Sequence, residues 1–429
     1  MFVPMVAIAI FVAVFALATF RKAHLGILMI PAACGTGVWL AGMPLRDVVG
    51  GFPVGIMVLL VGVTYFFGIA QVNGTVDRVI TAVLARIGPN PTALPVVFFG
   101  LAGVASAMGS PQAGLVLAPV GMPVARRAGL DPVLMAIAIN SGISAGAFAP
   151  TSLFGIVTYR IGRQAGIDLN PFTLLAVACA SNLVLLGVAL VLFRRAPLGS
   201  PSLHAGDVPL SAATRLAPGD ATPRTRLQPG QAATMACLVG LVVSIIACAL
   251  LGIEPDIGVT ALAFGAVLTL IDPTLGAKAF VRIDWSSAVV VGGIVTFVGV
   301  LQHLGAVNLL GQAALGIGSP LAAAMVVCMI AALVSAFAST TGVLAALVPL
   351  AVPLAASGHV AGWALITALG VCATVVDASP FSNTGATLIA SATEDERPRL
   401  RSLLLRWGMA LVIVGPAVLV PVLVMISRW

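Results

Sequence analysis

Four short polar interruptions in otherwise apolar stretches carry the residues whose types suit ligand chemistry. Two lie in long apolar blocks, at residues 106–114 and 335–342, and two lie in the predicted helices that follow, at residues 140–152 and 377–385. Their polar side chains are hydroxyls, amides and one carboxylate, with no lysine, arginine, histidine or cysteine. Such groups ligate hard cations and donate hydrogen bonds to anions. The pattern therefore predicts binding of small ions.

The elements that must position these residues are membrane helices. The chain of 429 residues is 60% hydrophobic and 8% charged, which is too apolar for a water-soluble surface. Apolar stretches near the length that crosses a bilayer recur throughout. The first stretch has no basic segment before it and is expected to be retained. Crossings are predicted at 2–20, 25–43, 54–72, 132–160, 171–193, 232–252, 257–271, 286–303, 361–392 and 403–427.

An internal repeat relates the two halves of the chain. Ser106 to Ser110 matches Ser335 to Ser339, and prolines 119, 123 and 150 recur 230 positions later. We predict an all-α polytopic membrane protein with two repeats, at residues 1–195 and 232–429, joined by a polar cytoplasmic linker at 196–231. Each repeat has five crossings and one re-entrant hairpin. Because five is odd, the second repeat is inverted relative to the first.

The basic residues predict the orientation. An N-terminus outside the cell puts all but four of the 21 lysine and arginine residues on the cytoplasmic side. The exceptions are Arg46, Arg160, Arg163 and Arg428. We therefore predict an inner-membrane protein with both termini outside.

The hairpin turns and broken helices are the predicted binding elements. A helix that begins inside the membrane leaves backbone amides unpaired, which is tolerated where they meet a cavity or a ligand. Four such ends would aim positive dipoles at one central volume and favour an anion with carboxylates. The predicted substrate-binding residues are Ser110, Pro111, Gln112, Thr151, Ser152, Thr340, Thr341, Ser382, Asn383 and Thr384.

A dianion bound without a basic side chain requires a coupling cation. Sodium is the simplest candidate, protons are the alternative, and no other cofactor is expected. The candidate sodium ligands are Ser106, Ser110 and Asn140 in the first repeat, and Ser335, Ser339 and Asp377 in the second. The competing interpretation is that small and hydroxyl residues serve close helix packing.

The stretches from Gly50 to Pro53 and from Val61 to Phe66 resemble the MatC-type malonate carrier family, and the resemblance extends over nearly the whole chain. That family is related to divalent-anion sodium symporters, whose hairpins carry a Ser-Asn-Thr signature. Here Ser110 and Ser339 keep the leading serine, while both asparagines are absent. The resemblance implies symport of a malonate- or succinate-like dicarboxylate by a homodimer with an elevator-type movement.

Other functions remain open at this stage. A sodium/proton exchanger or an oxyanion efflux carrier on the same fold would use Asp377 as proton carrier. A membrane subunit of a binding-protein-dependent carrier would need a soluble partner. No phosphate loop or metal-ligand spacing suggests an enzyme. The net charge is +7, but the basic residues are scattered at helix ends and are not gathered on one face. Nucleic acid is therefore not an expected partner, whereas membrane lipid is.

Overall fold

The computed structural model describes residues 2–21, 23–76, 78, 93–109, 111–164, 166–193, 229–250, 256–306, 309, 319–337, 339–356 and 360–427. These residues form helices joined by turns, and no strand occurs among them. The all-α prediction is confirmed for this part of the chain. Most of the predicted linker and Ser110 lie outside the described residues.

Ten helices are described before the predicted linker. They are α1 (Phe2–Arg21), α2 (Leu25–Gly35), α3 (Leu45–Gly50), α4 (Val54–Val72), α5 (Leu94–Ala107), α6 (Pro111–Leu115), α7 (Ala118–Arg127), α8 (Pro132–Gly146), α9 (Leu153–Gln164) and α10 (Pro171–Phe193). α2 continues into a π-helical turn over Thr36–Leu40.

Nine described helices follow the linker. They are α11 (Pro229–Leu250), α12 (Ile257–Ile271), α13 (Pro273–Phe280), α14 (Trp285–His303), α15 (Pro320–Ser335), α16 (Thr340–Ala356), α17 (Gly362–Val375), α18 (Asn383–Ala390) and α19 (Arg397–Ile426). α17 runs directly into a 3-10 turn over Val376–Ala378.

Several helix starts follow from local sequence. Asp131, Asp272 and Ser319 each precede a proline, and each side chain accepts hydrogen bonds from amides of the following helix. A proline at the first helical position loses no intrahelical bond, and the capping oxygen satisfies an amide that would otherwise be unpaired. The beginnings of α8, α13 and α15 are thereby fixed.

The helices have the length and apolarity of membrane spans. Six described spans qualify, namely Phe2–Arg21, Leu45–Val72, Pro171–Phe193, Trp285–His303, Gly362–Ala390 and Arg397–Ile426. In the most apolar stretch of α1 only 17% of the residues are buried, compared with 83% in the Gly362–Ala390 span. An apolar helix with so little burial presents its side chains to lipid rather than to a protein core.

Two pairs of helices approach each other through glycine. α2 lies against α14, where a β-carbon added to Gly293 would come within 2.7 Å of the Gly26 carbonyl oxygen. α4 lies against α12, where a β-carbon added to Gly62 would overlap the carbonyl group of Gly258. α14 also contacts α4, so these helices form one closely packed four-helix unit.

The two long apolar blocks fold as helix pairs. In the first helix pair, α5 turns at Met108 and Gly109 and is followed by α6 and α7. Gly109 has φ 109°, a conformation that favours glycine. In the second helix pair, α15 ends at Ser335 and α16 begins at Thr340. The turns coincide with the polar interruptions of the sequence.

A broken helix follows each helix pair. The first break separates α8 from α9 at residues 147–152, and the second separates α17 from α18 at residues 376–382. Gly155 and Gly385 lie so close to these breaks that an added β-carbon would overlap backbone carbonyl groups. α9 packs on α16, and α18 packs on α6 and α7. Each broken helix therefore contacts the helix pair of the other half.

The helix at the last predicted crossing, 403–427, extends beyond that crossing at its N-terminal end. α19 begins at Arg397, six residues before the predicted start, and its first turns are basic. Hydropathy does not register a helical turn that extends beyond the apolar stretch. Tertiary contact stabilises this turn, because Arg399 pairs with Asp131 at the start of α8.

Candidate functional site

A buried carboxylate lies where the second helix pair meets the second break. Asp377 is 8% exposed, and its Oδ1 accepts a hydrogen bond of 2.5 Å from the Thr340 hydroxyl. The Ser335 hydroxyl is 3.0 Å from that of Thr340. Because Thr340 donates its single proton to Asp377, Ser335 is the donor in the second bond. These residues form a chain of polar groups across the turn, which we call the Asp377 cluster.

Ser382 stabilises the second break from its other side. Its hydroxyl lies 2.5 Å from the carbonyl oxygen of Asp377 and 2.9 Å from that of Ser379, and it accepts a hydrogen bond from the Gly385 amide. Ser382 is thus the cap of α18. Phe381 stacks on Phe337 of the helix-pair turn, with ring centroids 5.2 Å apart. The break and the turn are therefore connected by both polar and aromatic contacts.

The first break is connected to the first helix pair by hydroxyl groups. Thr151 donates to the carbonyl oxygen of Ala107 and Ser152 to that of Ser106, both at 2.7 Å. Ser106 in turn donates to the Ile143 carbonyl oxygen at 2.9 Å. The residues predicted to bind a ligand therefore satisfy the carbonyl groups at the end of α5. No carboxylate takes part in these bonds, in contrast to the Asp377 cluster.

Asn140 has an unused hydrogen-bond acceptor. The residue is 2% exposed, and its Oδ1 has no hydrogen-bond partner among the described residues. α8, which carries Asn140, contacts the 3-10 turn Val376–Ala378 that contains Asp377. A buried amide oxygen without a donor carries a desolvation cost of about 1 to 3 kcal/mol, which a bound cation would offset.

The remaining residues predicted to bind substrate or sodium have the following positions in the structure. Pro111 begins α6, Thr341 is buried in the first turn of α16, and Ser339 is exposed just before it. In the first turn of α18, Asn383 is exposed and Thr384 is half-buried. The side chain of Gln112 and the whole of Ser110 lie outside the described residues. Within the described parts, no group of three or more His, Cys, Asp or Glu side chains forms a metal site.

A cavity of about 330 Å³ lies beside the first helix pair, and the sequence did not predict it. Its lining includes Thr64 and Gln71 of α4, Met108 and Gly109 of the turn, and Arg282 and Asp284 before α14. Three segments far apart in the chain form it. The available signal in the sequence was Arg282, a basic residue shortly before the crossing predicted at 286–303. The predicted orientation of the protein by itself also accounts for a basic residue there.

Comparison with known proteins agrees with the resemblance noted in the sequence. Residues 1–147 match the family model described as the dicarboxylate carrier protein MatC N-terminus. This segment contains the whole of α1 to α8. No curated protein matches the chain.

Proposed function

From the match of residues 1–147 to the model of the MatC dicarboxylate carrier N-terminus, we propose that this protein is a secondary active transporter for a small dicarboxylate of malonate or succinate type. The match is the observation that carries the proposal. The helical spans supply the membrane setting that a carrier requires. The absence of lysine and arginine from the four polar interruptions agrees with anion binding by backbone amides and hydroxyls.

We propose two inverted repeats at 1–195 and 232–429, each with five crossings and a re-entrant hairpin formed by one helix pair. Equivalent pairs of helix contacts between the two halves support this arrangement. Suppose that α2 corresponds to α12 and that α4 corresponds to α14. The contact between α2 and α14 is then equivalent to the contact between α12 and α4. The glycine pairs Gly26 with Gly293 and Gly258 with Gly62 follow the same correspondence.

We propose that the protein lies in the inner membrane, with its N-terminus outside and its linker in the cytoplasm. Arg399 with Asp131, and Arg126 with Glu396, join residues assigned to the cytoplasmic side. Arg160 with Asp256 joins residues assigned to the outside. Each ion pair connects residues on one side of the membrane, which agrees with the proposal.

The substrate is proposed to bind between the two helix-pair turns and the two breaks. Helices begin at Pro111, Thr340 and Asn383, beside these turns and breaks. Because Thr151, Ser152 and Ser382 already bond to backbone carbonyls, their role in this proposal is to hold the breaks in shape. Direct donors are then Gln112, Thr341, Thr384 and unpaired backbone amides.

Coupling to sodium is proposed to occur at the Asp377 cluster and near Asn140. An intramembrane carboxylate with two hydroxyl neighbours, and a buried amide oxygen without a donor, are oxygen ligands for a small cation. The cation would balance the charge that the substrate brings. The elevator-type movement and the homodimer follow from the resemblance alone and are part of the proposal.

Uptake into proteoliposomes tests the function. We expect the purified protein alone to accumulate radiolabelled malonate or succinate when a sodium gradient is imposed. Uptake of neither acid under sodium or proton gradients would overturn the proposal. Sodium movement driven by pH without a dicarboxylate would favour an exchanger, a reaction for which the buried Asp377 is also suited.

A further inference from the structure

The cavity beside the first helix pair lies between two differently built parts of the protein. Thr64 and Gln71 belong to α4 of the four-helix unit, and the segment Val281–Asp284 leads into α14 of the same unit. Met108 and Gly109 form the turn of the first helix pair. The volume of about 330 Å³ lies at the lower end of the range for small-molecule sites, roughly 300 to 1,000 Å³.

Arg282 gives this cavity an unbalanced positive charge. The residue is exposed, and its guanidinium has no ion pair or hydrogen bond with another described residue. The one acidic side chain in the lining, Asp284, instead caps α14, where it accepts from the amide and the hydroxyl of Ser287 at 3.0 and 2.7 Å. The Asp284 carboxylate is therefore turned to the helix start, whose positive dipole end offsets part of its charge.

The backbone around Arg282 is held close to α4. A β-carbon added to Gly68 would lie 3.3 Å from the Arg282 β-carbon and 3.3 Å from the Ala279 carbonyl oxygen. The Asp284 amide also donates to the Thr64 hydroxyl at 3.4 Å. Glycine at position 68 thus permits the close approach that brings Arg282 to the cavity.

We propose that this cavity is the cytoplasmic vestibule of the carrier and that Arg282 binds one substrate carboxylate there, before the substrate reaches the turn at Met108 and Gly109. The inference rests on the proposed dicarboxylate transport. A guanidinium presents paired donors that match a carboxylate in a planar, bidentate geometry. Thr64 and Gln71 supply neutral polar groups beside it. A substrate with two carboxylates can keep one on Arg282 while the other approaches the helix pair.

Thiol labelling at the cavity tests the charge. We would place Gln71→Cys in a background with the six native cysteines replaced, and compare anionic and cationic methanethiosulfonate reagents in inside-out vesicles. Adding Arg282→Gln should lower the anionic-to-cationic rate ratio by roughly a factor of ten, because a local charge changes encounter rates by about that amount. Lys278→Gln, an exposed basic residue on α13 outside the lining, should leave the ratio unchanged.

Substrate protection in the same vesicles tests the binding. Malonate or succinate should slow labelling of Gln71→Cys when Arg282 is present, protect partly with Arg282→Lys, and not protect with Arg282→Gln. An unchanged rate ratio, or equal protection with and without Arg282, would overturn the inference while leaving transport intact. Uptake assays on the protein with Gln71 and Arg282 both unchanged distinguish the other failure. If it transports no dicarboxylate, the proposed function fails and the vestibule role fails with it.

Discussion

The hydroxyl of Ser144 donates a hydrogen bond of 3.2 Å to the carbonyl oxygen of Thr374, which lies 230 residues further along the chain. The same spacing separates Pro150 from Pro380 and Gly155 from Gly385. A residue that contacts its own counterpart lies close to the axis relating two copies, as in any isologous contact. If the proposed inverted repeats are correct, their pseudo-two-fold axis should pass through the crossing of α8 and α17.

Glycine packing in the four-helix unit predicts that two glycine-to-alanine substitutions in α4 differ in their effect on the stability of the protein. Gly62→Ala would drive a methyl group into the Gly258 carbonyl, and we expect it to destabilise the protein by about 1 to 3 kcal/mol, the usual cost of overpacking. Gly55→Ala in the same helix is the control, because nothing lies within 4 Å of its added β-carbon. Thermal unfolding of the detergent-purified variants measures both. Equal melting temperatures would contradict the packing described for α4 and α12.

Arg399 is predicted to be important for stability because its partner is buried. Asp131 is 2% exposed as a side chain and accepts bonds of 3.0 and 2.6 Å from the Arg399 guanidinium. Arg399→Ala leaves that carboxylate without its counter-charge, and we expect a loss of about 2 kcal/mol, below the range for fully buried pairs because Arg399 is partly exposed.

The neighbouring Arg401→Ala serves as its control, since Arg401 is exposed and belongs to none of the ion pairs of the described residues. Denaturant or thermal unfolding would compare the two variants. If Arg401→Ala destabilised as much as Arg399→Ala, general charge at the membrane surface would explain the effect.

Asp377→Asn is expected to change the cation dependence of transport. The substitution keeps the size of the side chain and one acceptor for Thr340, but removes the negative charge from the cluster. Uptake at a series of sodium concentrations should show a weaker or altered sodium dependence at normal protein abundance. Asp395→Asn, at an exposed turn before α19, should behave like the unchanged protein. Identical sodium curves for all three proteins would remove Asp377 from the coupling site.

The two helix-pair turns are expected to contribute separately to substrate affinity. Gln112→Ala and Thr341→Ala each remove one donor, and loss of a hydrogen bond to a charged group costs about 1.5 to 3 kcal/mol. Dissociation constants measured by calorimetry should therefore rise roughly ten- to hundredfold. Thr173→Ala on the exposed face of α10 is the reference. Unchanged affinity in both well-folded variants would mean that the turns serve packing.

Orientation can be measured with single cysteines at exposed turns. Asp168→Cys, in the turn between α9 and α10, should react with a membrane-impermeant thiol reagent in intact cells, whereas Asp395→Cys should react only after permeabilisation. The expectation follows from the distribution of basic residues. The opposite pattern would reverse the orientation, and labelling of both positions from outside would contradict an odd number of crossings between them.

The sequence by itself determined the helical membrane character, the four polar interruptions and the spacing of 230 between corresponding residues. Each is a local property of composition or periodicity, and a lipid environment restricts apolar segments of this length to helices. The helix pairs and breaks accordingly occur where the interruptions lie.

Only the tertiary structure decided which polar groups meet. It joined Thr340 to Asp377, directed Thr151 and Ser152 to carbonyl groups of α5, and paired Arg399 with Asp131 across 268 residues. It also brought Arg282 to a cavity beside Met108. Hydropathy describes how a residue interacts with its solvent and does not specify a partner. The partner depends on which backbones approach closely, and here glycine contacts between distant helices set that approach.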